Sequence, residues 1–482
     1  MNYNSTRSSC QVVDSAQAVI AGLAPDGGLY MPEKLPEFDA AACLQKDVYG
    51  MASQILSAFL PDIPHMEQLV QKAYTGKFSA PDLTPTVSVG GKSVLELFHG
   101  PTSAFKDVAL CMLPQLLTAA RRAKGMTDEL MILTATSGDT GKAALEGFKD
   151  VDGIRITVFY PHGGVSKVQR AQMVTQEGSN VSVCAVKGNF DDAQTGVKNI
   201  FAACRGREDV HLSSANSINI GRLVPQITYY FKAYRDLLDA GKITMGQRVN
   251  FSVPTGNFGD ILAGFLAKRL GLPVGRLICA SNANNVLTDF IRTGTYDRRR
   301  ALLKTQSPSM DILVSSNLER LLYLLSGDTE LVAELMQKLN TEGSYTVPKA
   351  LLDAIQAEFW AGCCDDAAAR SAIGSVWAQH RYLTDPHTAC GWAVAEEYAK
   401  QTGDEGAMVV LSTASAYKFP SAVLEALQVA GEADEFDQME QLERMSAVPI
   451  PENLRTLRTK PERHTDVIEK DAMLAFVLEK CK

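Results

Sequence analysis

Val249-Asn250-Phe251-Ser252-Val253-Pro254-Thr255-Gly256-Asn257-Phe258-Gly259-Asp260 decides the fold. A strand pattern over 249–253 runs into a small polar turn with two glycines, and a helical pattern continues over 260–270. The same grammar recurs on both sides. Leu130-Met131-Ile132-Leu133-Thr134 leads into 137–141 and a helix from near Lys142. Ile154-Arg155-Ile156-Thr157-Val158-Phe159 leads into Pro161-His162-Gly163-Gly164, and Val181-Ser182-Val183-Cys184-Ala185-Val186 into Gly188-Asn189-Phe190-Asp191. Further strands are read at 276–280 and 408–411. Strands alternating with helices predict parallel sheets joined by right-handed crossovers, with ligands at the carboxyl ends of the strands. The fold class is therefore α/β, with two lobes of mainly parallel sheet flanked by helices and a cleft between them. Residues 1–94 read as an N-terminal cap domain, with a turn-rich segment at 22–30 followed by helical patterns up to about Tyr74. Residues 95–125 and 222–435 read as the large lobe, 126–221 as the smaller lobe, and 436–482 as a tail packing on the large lobe.

A chain of 482 residues exceeds one hydrophobic core, and 46% apolar with 21% charged residues is globular rather than disordered composition. The net charge of −8 lacks the basic footprint that a nucleic-acid backbone requires. The opening residues Met1-Asn2-Tyr3-Asn4-Ser5-Thr6-Arg7 hold no apolar signal core, and no apolar run approaches the roughly 20 residues of a membrane span. The expectation is a soluble, cytoplasmic protein with no membrane or nucleic-acid partner, as a monomer or small homo-oligomer. Ten cysteines show no metal-type or redox-type spacing, so reduced thiols packed as small hydrophobes and no metal site are expected.

The stretch Glu96-Leu97-Phe98-His99-Gly100-Pro101-Thr102-Ser103-Ala104-Phe105-Lys106-Asp107 carries the most chemistry. Thr102 or Ser103 is placed to cap a helix over 108–117, which Pro114 should bend or interrupt. Positions 105, 108, 109, 112, 113 and 116 make one apolar face, and 110, 113 and 117 below Lys106 are apolar too. A helix apolar on most sides is buried, and a lysine entering a core tends toward its neutral, nucleophilic form. The competing reading is a solvated Lys106–Asp107 pair on a first turn. The 256–260 turn can gather backbone N–H groups on an anion at a helix N-terminus, with Asp260 capping the helix rather than facing that anion. Its competing reading is a tight turn that needs glycine only for geometry. The run 137–142 fails as a nucleotide P-loop, since only Asp139 and Thr140 separate Gly138 from Gly141 and Ala143 follows Lys142. The segments 137–141 and 213–222 can present hydroxyls and amides to a carboxylate. Lys167, Arg170 and Arg222 are candidate phosphate holders, each competing with a plain surface cation. His99 and His387 sit in turn-like contexts and read as hydrogen-bonded structural residues.

Together these segments resemble the threonine synthases, pyridoxal-phosphate-dependent enzymes of fold type II. The resemblance covers nearly the whole chain and rests on several strings appearing in the family's order. They are Ser5-Thr6-Arg7, 24–30, 95–107, 136–141, 216–226, 256–260, 307–318, 385–391 and 413–419. It selects the buried reading of Lys106. It implies that Lys106 carries the cofactor pyridoxal 5'-phosphate covalently and that Gly256, Asn257, Phe258, Gly259 and Asp260 surround its phosphate. It further implies that Thr413 bonds the pyridine nitrogen, leaving it largely unprotonated. The implied reaction converts O-phospho-L-homoserine and water to L-threonine and phosphate. Substrate-binding candidates are Ser137, Asp139, Thr140, Arg170, Asn216, Asn219 and Arg222. The alternative is a related lyase acting on another phosphorylated amino acid, or a serine/threonine dehydratase. Two departures stand out. Ser415-Ala416 occupies the place where many relatives carry His-Pro, and Lys142, expected in solvent, stands where many carry a small residue.

Overall fold

The computed structural model describes every residue except 137, 205, 206, 208, 209 and 482. Along the chain, β1 (Asn2–Ser5), β2 (Ser8–Asp14) and β3 (Tyr30–Pro32) form an antiparallel sheet in the order β2-β1-β3. The sequence reading placed no strands here, because these are short. Next come β4 (Thr86–Val89), β5 (Lys92–Glu96), β6 (Leu130–Ala135), β7 (Ile154–Pro161), β8 (Val181–Lys187) and β9 (His211–Ser214). They are followed by β10 (Val249–Pro254), β11 (Val274–Ser281), β12 (Thr295–Asp297), β13 (Ser344–Thr346), β14 (Phe359–Cys363), β15 (Ala407–Ser412) and β16 (Val467–Glu469).

The larger sheet runs β14-β11-β10-β15-β5-β4 and is parallel except for the β4–β5 pair. The smaller sheet, β16-β8-β7-β6-β9, is parallel throughout. Every residue of β10 is buried, as a central strand covered on both faces requires. The chain leaves the larger sheet after β5, builds β6 to β9, and returns at β10. The carboxyl ends of β5, β6, β10 and β15 thus feed one cleft between the lobes.

Two expected boundaries move. β4 and β5 belong to the larger sheet although 86–94 was read as cap. The tail packs against the large lobe only in part, through residues such as Met439, Leu442 and Leu454. Its end joins the smaller lobe instead, with β16 extending β8 and Met473 and Val477 buried beside Val197 and Ile200. A polar four-residue edge strand, β9, leads into the polar segment 213–222 and takes in its first two residues. No helix among the described residues is long and apolar enough to cross a membrane. Of the nine cysteines other than Cys10, none forms a disulfide among the described residues, and all but Cys363 and Cys481 are buried.

Four helices carry the site: α1 (Lys106–Ala123), α2 (Asp139–Phe148), α3 (Gly259–Arg269) and α4 (Pro386–Thr402). α1 is one continuous helix despite Pro114, and nearly all of 107–117 is buried. Proline removes the donor for the carbonyl four residues earlier. That carbonyl, on Leu110, lies against Gly147 of α2, where an added Cβ would come within 2.0 Å of it. The two helices therefore touch backbone to backbone at the proline, and α1 runs on without the interruption that the sequence allowed.

Candidate active site

Lys106 opens α1, led in by a segment zipped onto the end of β15. Phe105 N donates to Thr413 O (2.8 Å) and Ser415 N to Ser103 O (3.1 Å), with a bridge between Ala104 and Ala414. Thr102 and Ser103 do not cap the helix. The bonding runs the other way, since Asp107 accepts from Thr102 N (2.9 Å) and Thr102 Oγ1 (2.5 Å). Asp107 is buried, which removes the solvated-pair reading, and burial pushes its carboxyl up to about 6 despite those donors. Part of the Lys106 side chain still faces the cleft, yet its nitrogen is surrounded by protein. Among the described residues it has no hydrogen-bond partner, only the Phe105 ring at 4.4 Å. Burial pulls Lys106 down to about 8, Asp139 opposes the shift, and Lys418 and Arg222 add to it.

At the end of β10, the left-handed residue is Phe258 (φ 62°), not a glycine. Its ring is buried and lies 5.6 Å from that of Phe359, and this packing holds a costly backbone conformation in place. Gly256 serves close approach instead. A Cβ there would sit 2.7 Å from Ser309 O, whereas one on Gly259 would make only ordinary contact with Asn317 at 3.4 Å. Asn257 O accepts from Asn317 N (3.1 Å) and Nδ2 (3.0 Å), and Gly256 O from Ser315 Oγ (2.7 Å). The turn's carbonyls are thus tied outward. Asp260 does not cap α3. Its Oδ1 accepts from Tyr229 (2.6 Å) and Tyr230 (3.1 Å), Oδ2 is buried without a partner, and burial raises the carboxyl to about 6.

Asp139 stands at the start of α2, opposite Lys106. Burial works against its charge, but Lys418 and Lys106 outweigh that and hold it well below the usual carboxylate range. Lys418 Nζ lies 2.6 Å from Asp139 Oδ1 and donates to Thr102 O at 3.1 Å, fully buried. Gln169 Nε2 donates to the same carboxylate oxygen (3.1 Å). Lys418 carries a site role that the sequence reading did not assign. Its signal was a lysine inside the apolar run Ala416-Tyr417-Lys418-Phe419.

The remaining candidates separate. Arg222 is buried with no carboxylate partner among the described residues. It donates to Ala215 O, its Nε is without a partner, and burial pulls it down to about 10. The Thr413 hydroxyl, buried at the end of β15, makes no hydrogen bond among the described residues, and the same holds for the side chains of Thr140 and Asn216. Asn219 is used up structurally, because Oδ1 accepts from Gly221 N (2.8 Å) and Nδ2 donates to Val19 O (2.9 Å). Arg170 is half exposed with both ends of its fork on Glu462, and Lys167 pairs with Asp434 at the surface. Ser137 lies outside the described residues. Lys142, expected in solvent, is buried and pairs with Glu146 (3.1 Å) and Gln176. His99 bonds Glu96 (2.8 Å) and Ser79 (3.1 Å). A cavity of about 290 Å³ lies behind α1 at Gln115, Thr118 and Arg122, and takes in none of the Lys106 cluster.

A lysine without a partner, a tied-back glycine turn and an arginine without a counter-ion on one cleft agree with the similarities found among known proteins. Residues 2–74 match the model for "Threonine synthase N terminus", 94–414 that for "Pyridoxal-phosphate dependent enzyme", and 388–477 that for "Threonine synthase, C-terminal". The chain belongs to the threonine synthase family of pyridoxal-phosphate dependent enzymes. Threonine synthase of Eremothecium gossypii is 39% identical over 88% of this chain and 89% of its own length, and that of Pseudomonas aeruginosa 40% identical over 88% and 90%. Human threonine synthase-like 1 is 40% identical, and here the chain spans only 58% of the relative's length. The crystal structure of PLP-bound threonine synthase from Brucella melitensis is 38% identical, with TM-score 0.89 over 100% of both chains. The yeast threonine synthase structure gives 32% and 0.90 over 99% of this chain and 98% of its own.

Proposed function

We propose that this member of the family is a threonine synthase, converting O-phospho-L-homoserine and water to L-threonine and phosphate with pyridoxal 5'-phosphate as cofactor. One observation carries the reading. Lys106 is a buried amine of lowered basicity with no hydrogen-bond partner among the described residues, beside Arg222, whose buried Nε also lacks a partner there. Orphaned buried polar atoms cost free energy unless a ligand meets them, so these residues fit a phosphorylated aldehyde. Lys106 would hold its carbonyl carbon, the N–H groups of 256–259 its phosphate, and Thr413 its ring nitrogen. Bound there, the cofactor supplies an electron sink that lets protons leave the carbon atoms next to the substrate's amine.

The chain's own groups divide the remaining work. Lys106, once free of the cofactor, is positioned to take and return protons, because its lowered basicity suits both directions near neutral pH. Asp139, kept ionised by Lys418, stabilises the protonated form of Lys106 when that form arises. Arg222, with Thr140 and Asn216 as neutral donors, would hold the substrate's anionic groups; Arg170 and Asn219 drop out because their groups are taken elsewhere. The hydroxyl of Thr413 leaves the ring nitrogen less protonated than a carboxylate would.

The test is direct. Purified protein should show cofactor absorbance and release phosphate from O-phosphohomoserine with threonine formed in step. Borohydride reduction should place the cofactor on Lys106 by mass spectrometry, and K106A should lose both absorbance and turnover. A tag on another lysine overturns the site. Efficient turnover of serine or threonine with the phosphate ester ignored overturns the substrate.

A further inference from the structure

His387 is buried beside the cleft, and the chemistry above makes no use of it. Its ring nitrogens face two different partners. Nδ1 lies 2.7 Å from Asp385 Oδ1, and Nε2 lies 3.1 Å from the backbone N of Ser309. A backbone N–H can only donate, so Nε2 must present its lone pair. Asp385 accepts from His387 N (2.9 Å), Thr388 N (3.2 Å) and the Thr388 hydroxyl, as the N-cap of α4. The proton therefore sits on Nδ1, and only the neutral Nδ1–H tautomer satisfies both neighbours. The Phe419 ring, packed edge-on at 5.0 Å, fixes the imidazole plane. Asp385 and His387 are almost wholly excluded from solvent.

What this ring holds is the turn Pro308–Met310. Ser309 touches the site twice. Its carbonyl oxygen closes over Gly256, where a Cβ would come within 2.7 Å, and its hydroxyl reaches Asp139 Oδ2 at 3.4 Å. One residue thus braces both the anion-binding turn of the larger lobe and the carboxylate opposite Lys106 in the smaller lobe. We propose that His387 is a positioning residue: oriented by Asp385, it accepts from Ser309 N and so sets the spacing between the Gly256 turn and Asp139. The inference rests on the function proposed above for its activity readout, but not for its binding readout.

Two variants of similar volume separate acceptor from filler. In H387Q the amide oxygen can reach the Nε2 position and accept from Ser309 N–H, whereas H387M fills the space with no comparable acceptor. Titration of the apoproteins with pyridoxal phosphate should give an apparent Kd about 10-fold weaker for H387M than for wild type, with H387Q recovering most of that loss. With O-phosphohomoserine, kcat of H387M should fall by about 100-fold, as a small misplacement of catalytic groups does, with a smaller change in KM and partial rescue in H387Q. Loss of packing alone would affect both variants alike. If H387M and H387Q agree in cofactor affinity within about twofold, at equal secondary structure, the positioning role is wrong. Wild-type protein that binds cofactor but ignores the phosphate ester would instead overturn the function and leave the affinity comparison decisive here.

Discussion

Lys106 earns its reactivity from where it is kept, and pH reads that directly. With an amine titrating at about 8, about one molecule in ten is neutral at pH 7, whereas an ordinary lysine would offer fewer than about one in a thousand. The rate at which apoprotein captures pyridoxal phosphate should therefore climb about tenfold per pH unit and level off above about 8. A limb still rising toward 10 would mean a solvated lysine. The linkage has a matching sign. The unfolded chain keeps this proton up to its ordinary value of 10.5, so it binds more protons than the folded apoprotein between about 8 and 10.5. Folding stability rises with pH across that window, and the rise should vanish in K106M when the two proteins are melted side by side. Asp139 gives a slope of the same sign, at acid pH. Its folded pKa is depressed, so the stability it contributes is complete above the ordinary carboxylate range and is lost as pH falls below it.

At the scale of elements, α1 and α2 meet where Gly147 covers the carbonyl that Pro114 leaves without its helix donor. Alanine at 147 would place a carbon 2.0 Å from Leu110 O, so backbone must move. G147A should cost about 1–3 kcal/mol, read as a lower urea midpoint with unchanged slope. It should also weaken cofactor binding, because both helices begin in the site, at Lys106 and Asp139. A neutral G147A would mean the helices do not rely on that approach. This contact also marks the limit of what could be read in advance. The strand–turn–helix units, the buried α1 and the turn at 256–260 are local patterns, and period and glycine placement reveal them. Pro114 read as a bend or an interruption because Gly147, which packs on the carbonyl it leaves free, belongs to another helix. Residue type also failed where use depended on a remote neighbour. Arg170 is a capable phosphate ligand until Glu462 takes its fork, and Asn219 an amide donor until Val19 and Gly221 engage it. Lys418 went unassigned for the same reason, since Asp139, its partner, comes from the other lobe.

Across the whole molecule, the start of the helix Leu318–Ser326 gathers three parts of the chain. Arg320, fully buried, donates to Tyr30 O of the N-terminal sheet (3.1 Å), to Ile218 O (2.6 Å) and to Asn317 Oδ1 (2.6 Å). Asn317 in turn grips Asn257 O in the anion turn and Ser217 O. Beside them, Glu319 accepts from Arg7 Nη2 (2.7 Å) and from the Thr6 hydroxyl. The N-terminal domain therefore reaches the 256–259 turn through one arginine and one amide. Burial pulls Arg320 down to about 10, a cost tolerated because several acceptors share its charge. R320M would strand those acceptors in the core and should lower stability by about 3 kcal/mol or more. R7M, at a partly exposed pair, should cost no more than about 1 kcal/mol. Limited proteolysis should release the N-terminal domain early from R320M, and its apparent Kd for pyridoxal phosphate should rise together with that release. If R320M melts and digests like wild type, the domain is held by its apolar contacts instead, and the anion turn owes its geometry to Asn317 and Ser315 alone.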